Sequence, residues 1–226
     1  MDKVRYIAKA QTPPDDRRGL VIAHTILVAA EQVGAACLVM DALLGNDKSP
    51  ADKSVIWIQF FAAAGGVAEL RARLTRNRAQ EQAARKHLSD IRPALLPAFD
   101  RLTARQIGDD LPLKLCCFAR TNYTAFWNEE VSARFVEILS LDGSDPAVME
   151  TTQDQKSYGI PWVKEALMQG WRQEYNLSEA KLKAVLPEVM TVCRDAAKVG
   201  RYAGMAILRS CGVEIEKVGS EAVAAV

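Results

Sequence analysis

Between Leu20 and Leu44 the sequence places Ile22, Ile26, Ala29, Val33, Ala36, Met40 and Leu43 in a 4-3-4-3 rhythm. Side chains at that spacing stack along one face of an α-helix. A second apolar stripe, Ala23, Leu27, Ala30, Gly34, Cys37 and Leu44, runs beside the first. So wide an apolar arc demands more than one helical neighbour, and the small residues Ala29, Ala30, Gly34, Ala35 and Ala36 let those neighbours come close. The same run contains His24, Glu31, Gln32 and Asp41. These polar residues break it too often for a membrane span, so a core helix is expected, with His24 hydrogen-bonded inside.

Helix punctuation recurs along the chain. Thr12-Pro13 and Ser49-Pro50 each set a capping side chain before a proline, which is tolerated at the first helical position because its missing N–H would lack a partner there anyway. A second strongly apolar helix is expected from Pro50 to about Arg76. Its Gly65-Gly66 pair marks a close-packing site or a kink and not a phosphate loop, since no Gly-Lys-Ser/Thr follows. Pro93 and Pro97 begin a turn or kinked helix. Further helical patterns cover 111–141, 161–175 and 179–210, the last capped by Ser178 and carrying Pro187 inside it. Hairpin turns with flanking alternation are absent. The expected fold is all-α, an irregular bundle of six to eight helices. Residues 1–210 would form a single helical domain, or two subdomains meeting near 93–110, and 211–226 a flexible tail.

A net charge of +1 conceals a polarity along the chain. Residues 71–105 carry nine Lys/Arg against three Asp/Glu, and residues 106–160 carry four against nine. Such blocks attract an anion, another molecule, or each other. The stretch ELRARLTRNRAQEQAARKHLSDIR, residues 69–92, repeats arginine every seventh position at Arg71, Arg78, Arg85 and Arg92. Arg92 precedes a proline, which disfavours helical geometry, so the register ends at Arg85. If 69–90 is one helix, three arginines align about 10 Å apart, and Arg73, Arg76 and Lys86 widen them into a basic surface. Guanidinium groups bind phosphates in bidentate fashion, so this face suits a nucleic-acid backbone, without sequence preference and with strong salt dependence. Arg194, Lys198 and Arg201 form a second, reserve stripe. The alternative is that both stripes are ordinary solvated faces.

Catalytic chemistry finds little support. Glu-x-x-His on facing helices and HExxH are absent, and the adjacent pairs Asp15-Asp16, Asp109-Asp110 and Glu129-Glu130 point about 100° apart on a helix. Five cysteines, Cys37, Cys116, Cys117, Cys193 and Cys211, show no CxxC and form an odd set, which suits reduced thiols in a cytoplasm rather than disulfides. Arg120, Tyr123 and Trp127 share a helical face, but core packing accounts for the two rings as simply as base stacking does. No metal, cofactor or catalytic residue is expected.

The leading expectation is a non-enzymatic, cytoplasmic helical subunit of a nucleoprotein or protein assembly, free of membrane, that contacts a nucleic-acid backbone through Arg71, Arg73, Arg76, Arg78, Arg85 and Lys86. The alternative is a protein-interaction module, an oligomerising adaptor or immunity-type inhibitor, working by self-association or with other subunits. A third reading is a helical small-molecule sensor with a pocket lined by Trp57, Phe60 and Phe61.

Overall fold

A computed structural model of the chain describes residues 5–10, 17–44, 50–120, 168 and 170–218. In order they form β1 (Arg5–Ala10), α1 (Arg17–Leu44), α2 (Pro50–Leu74), α3 (Arg78–Ile91), a short 3-10 turn at Pro93–Leu95, α4 (Leu96–Thr103), α5 (Leu111–Ala119), α6 (Glu179–Ser210) and β2 (Val213–Val218). The expected all-α multi-helix bundle is what the structure shows. The expected caps at Thr12 and Ser49, the helix beyond residue 120, and Tyr123, Trp127, Glu129 and Glu130 lie outside the described residues.

α1 is the central helix. The first stripe buries Ile22, Ile26, Ala29, Val33, Ala36 and Met40, and the second buries Ala23, Ala30 and Cys37. Each stripe meets a different neighbour. Towards α2, a Cβ built on Gly66 would stand 2.6 Å from a methyl of Val33, so Gly66 is a close-packing site. Towards α6, Gly34 lies beside Ala197, Gly200 beside Ala30, and Gly204 beside Leu27 and the Ala23 carbonyl. That descending order on α1 against the ascending order on α6 makes the two helices antiparallel. Glycines at 200 and 204, one turn apart, let the backbones approach where larger side chains would hold them off. His24 departs from expectation: it is exposed, because its position falls on the side of α1 opposite both stripes.

The other helices complete the core around this layer. Phe60 and Phe61 of α2 pack edge-on against the fully buried Trp171, with ring centroids 6.0 and 5.5 Å away. Trp57 stacks on Phe61 at 5.7 Å. Phe60 and Phe61 belong to the core, and the half-buried Trp57 packs against it. α6 begins where Ser178 accepts the Lys181 N–H at 3.2 Å, as its sequence indicates, and Pro187 lies inside it. By composition and length, α1 and α2 could each cross a membrane, with mean hydropathy of 1.7 and 1.3 in their most apolar windows, of which 39% and 44% are buried within the protein.

Residues 213–218, expected within a flexible tail, form a strand instead. Gly212, at φ 80°, takes the left-handed conformation that ends α6 and turns the chain. β2 then pairs antiparallel with β1 in a register setting Arg5 opposite Val218 and Ala10 opposite Val213. The VEIEKV alternation has the strand period of two, but its partner lies at the far end of the chain, so no hairpin signal announces the pair. Residues 219–226 of the expected tail are outside the described residues.

The glycine contacts predict opposite signs for two similar substitutions. In Gly200→Ala the new methyl meets Ala30 Cβ at 2.8 Å and both Leu70 methyls within 2.9 Å, and such overpacking costs about 1–3 kcal/mol. In Gly34→Ala the methyl meets only Ala197 Cβ at 3.7 Å, an ordinary contact. The gain in helix propensity then adds up to about 1 kcal/mol. Urea unfolding of the two variants measures both, and a destabilised Gly34→Ala contradicts the packing described.

Candidate functional site

The aligned-arginine surface required an unbroken helix from 69 to 90, and the structure breaks it. α2 stops at Leu74 and α3 starts at Arg78, with Asn77 between them in extended geometry (φ −131°, ψ 113°). The Asn77 side-chain oxygen accepts the backbone N–H groups of Ala79 at 3.0 Å and Gln80 at 3.3 Å. Asn-x-x-Gln is a relative of the capping box, and it is the signal that the arginine register obscured. Arg71 therefore belongs to a different helix from Arg78 and Arg85, and the three do not form one line.

Three of the six cations of that surface, Arg71, Arg73 and Arg85, have partners within the fold. Arg71 reaches across to donate to the Ala104 carbonyl. Arg73 pairs with Glu69 at 2.7 Å, one turn back along α2, and Glu69 also holds Arg120 at 2.9 Å. The Nε atoms of Arg71 and Arg73 are buried and lack a hydrogen-bond partner among the described residues, so both guanidinium groups are drawn into the structure. Arg85 makes a two-bond fork with Asp100 of α4, at 2.9 and 3.1 Å. That carboxylate raises the Arg85 pKa through its hydrogen bond and its charge. Arg105 pairs with Glu81 at 3.3 Å. Arg92 donates to the Tyr202 hydroxyl at 3.1 Å and lies over its ring.

Arg76, Arg78 and Lys86 are exposed, and no carboxylate pairs with them among the described residues. Arg78 and Lys86 lie about 80° apart around α3, with Arg85 about 20° beyond Arg78 on the other side, and Gln80, Ala84 and Leu88 occupy its buried side. The reserve stripe on α6 is likewise largely engaged. Arg194 binds Asp41 at 2.5 Å and Arg201 binds Glu31 at 3.0 Å, while Lys198 is exposed between them.

The basic block meets the acidic one at Arg101 and Asp110, joined by two bonds of 2.5 and 2.7 Å. Asp110 also caps α5 by accepting the Leu113 N–H at 3.1 Å. Burial tends to raise the Asp110 pKa, but the Arg101 fork and the capping bond outweigh it, and the pKa is lowered. Asp110 and Arg101 line a cleft with Asp109, Lys181 and Glu188. Its charges are of both signs and partly paired already, which gives it no clear ligand preference. Among the described residues no three His, Cys, Asp or Glu side chains gather as a metal site. Cys37, Cys116 and Cys193 are buried free thiols. Burial first, and the neighbouring Cys193 second, push the Cys37 thiol up to about 12, which makes it a poor nucleophile.

A different surface emerges on the outward side of α1. Between Arg18 and Leu44 the charged residues are Arg18, Glu31 and Asp41, and α6 holds both acids by ion pairs. Bordered by Glu31, which is three residues from Val28 and four from Ala35, runs a third 4-3 stripe: Val21, Thr25, Val28, Gln32, Ala35 and Val39. All are exposed except the half-buried Thr25. Val21 is 62% exposed and the adjacent Leu38 is 71% exposed. Thr25 and Gln32 interrupt this stripe in the sequence, and the two buried stripes beside it dominate the pattern, so periodicity alone does not single it out. The Thr25 hydroxyl is satisfied by the Ile22 carbonyl at 2.9 Å.

Asp110→Ala removes a cap and one end of the Arg101 fork, and loss of the cap alone costs about 1 kcal/mol at neutral pH. Because the folded-state pKa is below the ordinary 3.8, this stabilisation is complete above that value and disappears as the pH falls through the lower folded value. Paired urea titrations of wild type and variant should therefore differ equally at pH 7 and pH 5 and converge in strong acid; a gap that closes already by pH 5 contradicts the assignment. No protein-family model, curated protein or solved structure matches this chain.

Proposed function

We propose that this chain is a non-enzymatic helical interaction subunit, held in a protein assembly through the outward face of α1. The uncharged stripe from Val21 to Val39, borne by the helix whose opposite side forms the core, carries this reading. Single exposed apolar residues are ordinary on protein surfaces, whereas several on one helix face, as Val21, Val28, Ala35 and Val39 are here, suit an interaction site. The paired arginines support the same reading: of the six cations that favoured nucleic acid, Arg73 and Arg85 are held by the fold's own carboxylates and Arg71 by a backbone carbonyl.

A nucleic-acid-binding subunit is the second reading. It rests on Arg76, Arg78 and Lys86, which remain exposed without a carboxylate among the described residues. Arg71, Arg73 and Arg85 would contribute to it only by leaving their present partners.

Affinity purification from native lysate separates the two. The interaction reading expects polypeptide, foreign or an untagged copy of this chain, to co-purify after nuclease treatment. It expects loss of that polypeptide in Val28→Glu/Ala35→Glu and retention in Arg76→Glu/Arg78→Glu/Lys86→Glu. The opposite pattern overturns it and transfers the function to nucleic acid: co-purifying nucleic acid, binding that weakens steeply with salt, and loss only in the triple reversal.

A further inference from the structure

No further inference is drawn: the strongest candidate, the outward apolar face of α1 from Val21 to Val39, belongs to the interaction reading above, and nothing among the described residues shows what covers it.

Discussion

The close approach of α1 and α6 is the constraint from which the remaining architecture follows. Gly200 stands where a side chain would strike both Ala30 of α1 and Leu70 of α2, so three helices meet at one residue without a Cβ. With Gly204 a turn later against Leu27, the contact is set by backbone proximity, and dispersion there depends on fit to a fraction of an ångström. Ion pairs Arg201–Glu31 and Arg194–Asp41 run along the margin of this contact. Since α2 and α6 occupy two sides of α1, the third side is left outward, and its apolar stripe is a consequence of where the first two neighbours sit.

Charge in this chain serves mainly to position elements. The block at 71–105 is strongly basic in sequence, yet Arg85 ties α3 to α4 through Asp100, Arg105 ties the following loop back to Glu81, and Arg101 ties α4 to the start of α5 through Asp110. Exposed pairs of this kind add little to stability. Their effect is orientation, because each joins two short neighbouring elements. Of the remaining cations, Arg76 and Arg78 flank the α2–α3 break, and Lys86 lies about two turns further along α3.

Much of the fold was legible in the residues. The two stripes of α1 name its buried side chains, Ser178 marks the start of α6, and Pro93 marks the end of α3 at Ile91. These signals are local, and local signals survive folding. The misreadings share the opposite character. The arginine heptad implies a continuous helix, but Asn77 interrupts it, a capping residue that costs a helix far less at its start than in its middle. Strand β2 was hidden because pairing with β1 is a property of the two chain ends together. The candidate site was the least legible. Whether an arginine is free to bind depends on which carboxylate lies across from it in space; Glu69 stands four residues before Arg73 in the sequence, but Asp100 is identified as the partner of Arg85 only by the packing.

The dependence of the whole on the α1–α6 contact is tested most directly by native-state hydrogen exchange resolved along the chain. The account predicts that amides of α1 near Ala30 and of α6 near Gly200 exchange only through global unfolding, with the same free energy for both helices. Amides of α3 and α4 should exchange through smaller, earlier openings. If α1 opens at lower free energy than α3 and α4, or separately from α6, the contact is not what holds the structure together.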